Sequence, residues 1–252
     1  MSNERIKYTP AQQTALVTQV DRVCPLCSDT LFYKKKSRTY KNYEIAHIYP
    51  LNPKPEEEEL LRGEARLSED VNHENNVIPL CIDCHGKFDK PRTLEEYRDL
   101  FAIKKKLIAK SNQEEMWGRY SIEEELIIVI DALYNDPDPN IEAELEFAPK
   151  AVDEKLDSTI TRPTQRKIKS QVRDYYLFIK EKFSVLDQSE AELSETISLQ
   201  VKAYYLKQKR LGLEQQEIYE NIVAWINAKT KPKTSDASEI IASFFIQNCE
   251  VF

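Results

Sequence analysis

Two Cys-x-x-Cys knuckles, Cys24-Pro-Leu-Cys27 and Cys81-Ile-Asp-Cys84, limit what this chain can fold into more than any other feature. A knuckle bends so that both sulfurs point at one tetrahedral ion, which is why the spacing recurs in structural zinc sites. Together the two use four of the five cysteines and leave only Cys249. The pattern predicts a closed four-sulfur zinc site with a structural role, because four thiolates leave the ion no open position for water. Between the knuckles lie 53 residues, 28–80, against the roughly 15–20 of a plain zinc ribbon. A further element must be built inside that loop.

The loop holds Tyr43-Glu44-Ile45-Ala46-His47-Ile48-Tyr49-Pro50, a short strand-like run with one histidine among apolar residues. Asn76 stands five positions before Cys81, and His85 follows Cys84 directly. Four cysteines with His47, Asn76 and His85 in this order resemble the zinc-stabilised HNH endonuclease family over residues 20–92. That resemblance implies a ββα-metal unit in which the first histidine ends a strand, the asparagine braces the loop and the last histidine opens a helix. It implies His47 as general base, Asn76 as the residue that orients it, and His85 as ligand of a catalytic Mg²⁺ or Mn²⁺. Many members carry an acidic or histidine ligand just before the first histidine. Here that position is Ala46, which ligates nothing. Asp89, four residues after His85 and so on the same helix face, is the first choice for the missing ligand. Glu44 is the second, since a strand would point it away unless it bends.

Other readings of the same residues exist. Paired knuckles alone fit a noncatalytic zinc adaptor, and a lone histidine such as His47 is more often a satisfied structural residue than a base. Asn76 alone reads as an ordinary turn residue. His73, in the polar run 72–75, reads as a solvated loop residue.

Charge bears on substrate. The net charge of −7 looks wrong for a protein that approaches DNA. Residues 1–110 hold 19 Lys and Arg against 17 Asp and Glu, or +2; the remaining 17 against 26 give −9. The acidity belongs to the C-terminal part. Between the first knuckle and His47, the cations Lys34, Lys35, Lys36, Arg38 and Lys41 are interleaved with tyrosines. Such a run is more often simply a solvated face; beside a nuclease centre, these cations and Lys87 are the candidates for phosphate contacts, the main source of nonspecific nucleic-acid affinity. No apolar run approaches the roughly 18 residues of a membrane span, and the start lacks an apolar signal segment. A cytoplasmic location is expected, where clustered cysteines mean metal rather than disulfides.

In chain order, Thr9-Pro10 reads as an N-cap with proline at the first helical position, opening a helix through Val23. Residues 52–59, with two prolines and four glutamates, read as an exposed inserted loop without chemistry. Thr93-x-x-Glu96 is a capping box opening a helix to about Lys110, decorated by Lys104, Lys105, Lys106 and Lys110. Ser121-x-x-Glu124 repeats that signal before the apolar run 126–130, a helix or a buried strand. Residues 135–164, acidic and broken by Asp136-Pro137-Asp138-Pro139, read as a linker.

From Gln165 onward helical periodicity dominates. Stripes run through Val172, Tyr175, Tyr176 and Ile179; through Leu193, Ile197, Val201, Tyr204 and Tyr205; and through Ile218, Ile222, Val223, Trp225 and Ile226. Ser235 or Asp236 caps a last helix carrying Ile240, Ile241, Phe244 and Phe245, whose apolar end docks into its own bundle or onto a partner. Cys249 reads as a buried apolar residue. This pattern and the aromatic terminus resemble effector subunits of Lamassu-like three-component defence systems built on an ABC or SMC-like ATPase.

The expected fold class is α+β: a small N-terminal ββα-metal, treble-clef-like unit with structural zinc, then a mainly α-helical C-terminal domain. Expected segments are 1–110 for the nuclease domain, 111–164 for a helix and acidic linker, and 165–252 for a partner-docking bundle. The leading functional expectation is a metal-dependent DNA endonuclease acting with an ABC/SMC-like ATPase in antiphage defence. The alternatives are a stand-alone HNH restriction-type nuclease and the zinc adaptor.

Overall fold

The structure is a computed structural model, and it describes residues 3–120, 125–135 and 150–248. The chain divides into two compact units, Met1–Gln113 and Glu114–Phe252. The first is α+β with four clustered cysteines and the second is helical.

In the first unit, α1 (Pro10–Gln19) opens on a reciprocal capping box between Thr9 and Gln12. It stops short of the expected Val23 because Asp21 and Arg22 adopt left-handed backbone, with φ of 53° and 64°, and turn the chain into the first knuckle. An exposed hairpin follows, β1 (Phe32–Lys35) pairing with β2 (Arg38–Lys41) through a turn at Lys36. Then β3 (Tyr43–His47) pairs antiparallel with β4 (Val77–Cys81), setting Tyr43 opposite Cys81 and His47 opposite Val77. All five residues of β4 are buried. Immediately after it, α3 (Ile82–Phe88) carries the second knuckle.

Two expectations in this unit are corrected. Residues 55–60 form a short helix, α2 (Pro55–Leu60), with proline at its start and acidic residues in its first turn, which suits the positive end of the helix dipole. Three of the four glutamates, Glu56, Glu57 and Glu58, lie in that first turn, so the run favours a helix rather than a loop. In α4 (Leu94–Trp117), opened by the Thr93 and Glu96 pair, Lys104 is not surface decoration. It is 1% exposed and its ammonium donates to Gln19 Oε1 at 2.6 Å, while burial pulls its pKa down to about 8.

The second unit begins with the end of α4, whose Met116 and Trp117 join its core. The apolar run 126–130 is helical, in α5 (Glu125–Asn135). The Ser121 capping box and the Asp136–Pro139 breaker lie outside the described residues, as does Cys249. The expected linker is corrected from Lys150 onward. There α6 (Lys150–Lys155) begins, and Val152 on it and Ile160 in the turn after it are buried, with Leu156 packed beside them.

Four long helices complete the bundle: α7 (Arg162–Ser189), α8 (Leu193–Arg210), α9 (Gln215–Thr230) and α10 (Ser235–Asn248). Each buries its predicted stripe apart from Tyr175 and Val223, which are half-buried beside it. The apolar α10 packs against α7 and α9 and is buried at Ala237, Ser238 and 240–246. It docks into its own bundle. Trp225, fully buried, stacks on Tyr204 with centroids 4.5 Å apart, and Phe183 stacks on Phe244 at 5.3 Å. Replacing Trp225 by alanine leaves a large cavity, so Trp225→Ala should destabilise this unit by roughly 3–5 kcal/mol in denaturant unfolding. A loss below about 1 kcal/mol would place that ring outside the core.

Candidate active site and metal centre

The pairing of β3 with β4 brings the two knuckles together. With Tyr43 opposite Cys81, the chain entering β3 from the hairpin runs beside the end of β4, and the four sulfurs of Cys24, Cys27, Cys81 and Cys84 gather within 4.8 Å of one another. Among the described residues, they are the only group of three or more metal-ligating side chains so gathered. Zn–S bonds of about 2.3 Å put tetrahedral sulfurs about 3.8 Å apart. Cys27 and Cys81 Sγ lie at 3.6 Å, so the thiols fit a tetrahedral soft cation. Burial and the neighbouring sulfurs of Cys81 and Cys27 push the Cys84 thiol above its usual range. Four sulfurs this close cannot all ionise without a cation to offset their charge.

His47 ends β3, and Asn76 lies just before β4, at the end of a 3₁₀ turn (Glu74–Asn76). The asparagine is 1% exposed and fully engaged. Its Nδ2 donates to the carbonyls of Tyr49 (3.0 Å) and Val71 (2.8 Å), while its Oδ1 accepts from Tyr49 N (2.9 Å). Its carbonyl accepts from Ile48 N at 2.8 Å. Thus Asn76 braces the loop leaving His47 through three hydrogen bonds, ties it to Val71 through a fourth, and makes no hydrogen bond to the imidazole.

His85 stands on α3, and its Nδ1 lies 3.0 Å from Glu44 Oε2. His47, His85 and Asp89 line one cavity of about 770 Å³ together with Ala46, Phe88 and Arg92. The two imidazoles therefore face a common space. Glu44 is held by His85, outside that lining. The hairpin cations Lys34, Lys35, Lys36, Arg38 and Lys41 are exposed on β1, β2 and the turn between them, and Lys87 is exposed on α3; none lines the cavity. His73 is exposed and caps the 3₁₀ turn by accepting from Asn75 N.

Sequence reasoning missed three residues that line this cavity or hold His47. Arg92 is 9% exposed and donates to the Ile48 carbonyl (2.7 Å), the His47 carbonyl (3.4 Å) and Glu57 Oε1 (3.2 Å), with its guanidinium 4.4 Å from the centre of the Phe88 ring. Glu57 comes from α2, so the run set aside as inert supplies the counter-charge. Arg5 lines the cavity from the N-terminal segment. Asn72 Oδ1 lies 3.3 Å from His47 Nε2. Burial holds the His47 pKa below its ordinary value, and the charges of Arg5, Arg92 and His85 act the same way, against the Asn72 hydrogen bond.

Against known families, residues 113–252 match C-terminal domain 11 of the ABC-three component (ABC-3C) systems. The chain belongs to this ABC-3C family. Residues 24–93 of the ABC-3C protein match the HNH endonuclease model HNH_2, a span running from the first cysteine to just past Arg92. No curated protein and no solved structure matches. No helix among the described residues is long and apolar enough to cross a membrane.

The sulfur cluster sets a test. The purified ABC-3C protein should carry one tightly held metal ion per chain, read by elemental analysis. Cys81→Ser should lose that ion and the order of residues 3–113, seen as proteolysis confined to that unit. Full metal content in Cys81→Ser would contradict the assignment.

Proposed function

We propose that this chain is a metal-dependent endonuclease that hydrolyses DNA phosphodiester bonds, and that its helical unit joins it to an ABC or SMC-like ATPase in an antiphage complex. The observation that carries the reading is the shared cavity of His47 and His85, at the positions that an HNH unit requires for a base and a cation-holding imidazole. The match of residues 24–93 to HNH endonucleases supports it, as does the match of the helical unit to a three-component system. The structural ion is Zn²⁺, the cation best suited to four thiolates.

In this mechanism a backbone phosphate enters the cavity. His47 takes a proton from water, the resulting oxygen attacks phosphorus, and the bond from phosphorus to the sugar oxygen on the far side breaks. Asn76 keeps the His47 loop from shifting, and Arg92 fixes the same loop through the His47 and Ile48 carbonyls. Glu44 holds Nδ1–H of His85 and leaves Nε2 for a divalent cation, a support often seen behind metal-ligating histidines. His85 with Asp89 would hold Mg²⁺ or Mn²⁺, whose chemistry here is to offset charge on the phosphate and the departing oxygen. The protein offers this ion few donors, which suits Mg²⁺, a cation that keeps several waters and takes phosphate oxygens.

Electrostatics favours an activated assembly over a free-standing nuclease. The cavity lining sets Arg5, Lys54, Lys90 and Arg92 against Glu56, Glu57 and Asp89, close to neutral for a site that receives a polyanion. The hairpin Lys34, Lys35, Lys36, Arg38 and Lys41, with Lys87, adds phosphate contacts outside the cavity. A basic surface on the partner would supply the rest.

Plasmid cleavage with Mg²⁺ or Mn²⁺ tests the reading, with the ATPase partner present and absent. His47→Ala should retain its metal and its fold, and lose cleavage by roughly 100-fold or more. Wild-type cutting by that variant would refute the assignment, and zinc without any divalent-dependent nicking in either arm would favour the adaptor.

The lowered His47 pKa sets the pH dependence. A base must be neutral, so the acid limb of the rate profile should have its midpoint below the ordinary imidazole value of about 6.5. A midpoint well above that value would exclude His47 as the group that titrates.

A further inference from the structure

Asn72 sits between the N-terminal segment and His47, and its hydrogen bonds leave its amide one orientation. Its Nδ2 donates to the carbonyl of Glu4 at 3.0 Å. A carbonyl only accepts, so the amide nitrogen must face Glu4 and the oxygen must face His47. That oxygen lies 3.3 Å from His47 Nε2. An amide oxygen has no proton to give, so the contact is a hydrogen bond only when Nε2 carries the hydrogen. The lone pair of the neutral ring then lies on Nδ1.

The rest of Asn72 is held equally firmly. Its N–H donates to Asp70 Oδ1 at 2.9 Å, and its carbonyl accepts from the Tyr8 hydroxyl at 3.0 Å. Upstream, Asn3 and Asn52 bond reciprocally: Asn52 Oδ1 accepts from Asn3 N at 2.6 Å, and Asn52 Nδ2 donates to the Asn3 carbonyl at 2.9 Å. The segment 3–8 is thus tied to the loop after His47 at one end and to Asn72 at the other. It also brings Arg5 to the cavity.

We infer that Asn72 is a positioning residue for His47: latched by the N-terminal segment through Glu4 and Tyr8, it fixes the Nε2–H tautomer and leaves Nδ1 as the atom that accepts the proton from water. Asn76 has a different task, since it braces backbone alone. The consequence for rate rests on the nuclease reading; the tautomer does not. The charged and titratable groups that bear on His47 are Arg5, Arg92 and His85; the guanidinium groups have no acceptor to offer, His85 Nδ1 is engaged by Glu44, and the partner within hydrogen-bond distance of Nε2 is Asn72 Oδ1.

The test reads the tautomer directly. The chain has three histidines, so ¹⁵N-histidine labelling of the full-length, metal-loaded protein gives spectra assignable with a His47→Gln control. At a pH about two units above the ordinary imidazole value, the two-bond and three-bond ¹H–¹⁵N pattern identifies which ring nitrogen is protonated. Wild type should show His47 protonated on Nε2, and Asn72→Leu should show a mixture of tautomers with unchanged zinc content. Cleavage by Asn72→Leu should fall roughly 10–100-fold in kcat with KM nearly unchanged. Asn72→Asp keeps an acceptor toward Nε2 and adds a negative charge, so it should retain the tautomer and move the acid limb of the rate profile upward. Protonation of Nδ1 in wild type, or a wild-type tautomer in Asn72→Leu, overturns the inference. A protein that cuts nothing under any condition sinks the nuclease reading alone, and the spectra still decide the role of Asn72.

Discussion

The first unit depends on a single constraint, the joining of residues 24–27 to residues 81–84 at one four-sulfur centre. Closing a loop of this length costs the chain conformational entropy, about 4 kcal/mol if the clip is treated as a covalent cross-link. A unit this small has few other ways to meet that cost. The clip also sets register. Cys81 lies opposite Tyr43, which fixes His47 against Val77 and brings Asn76 beside the loop leaving His47. A slip of one residue would exchange the two faces of β3 and turn His47 away from the space that His85 lines. The centre therefore decides geometry at a distance from any chemistry it performs.

Much of this was legible because the informative residues are few and their roles are local. Knuckle spacing is a property of four consecutive residues, and the turn and strand that carry Asn76 and His47 can be read from short stretches of sequence; His85, which the family resemblance put at a helix start, lies in the middle of α3. The long helices were legible for the same reason, since Val172 through Ile179 or Ile218 through Ile226 repeat an apolar residue at helical spacing. Where charge or proline dominated composition, the reading failed. The glutamates of 56–59 suggested a solvated loop, yet acidic residues are also what a helix prefers in its first turn. Acidity likewise masked the apolar Val152, Leu156 and Ile160, two of which are buried.

The supports of the site were illegible for a different reason. Arg92 reaches carbonyls 44 and 45 residues earlier, and Asn72 reaches Glu4 across 68 residues. Side chain to backbone bonds of this kind leave no pattern in sequence, because the carbonyl they meet is common to every residue type. Lys104 shows the converse. Its neighbours Lys105 and Lys106 are exposed, and only the position of one helix face against Gln19 buries the first of three identical residues.

The arrangement also bears on why an HNH unit would be carried by a larger system. Its cavity is lined by four permanent cations and three carboxylates, and its exposed basic hairpin belongs to a chain whose residues 111–252 sum to −9. Long-range attraction to DNA is set by net charge, whereas local contacts act only after approach. A chain with this distribution gains little from diffusion toward a polyanion and much from being delivered to one. On the nuclease reading, the same imbalance that weakens the isolated chain restrains it, since encounter then depends on a partner already engaged with DNA. Restraint of this kind needs no blocked active site, so His47 can remain oriented at all times by Asn72 without making the free chain a hazard.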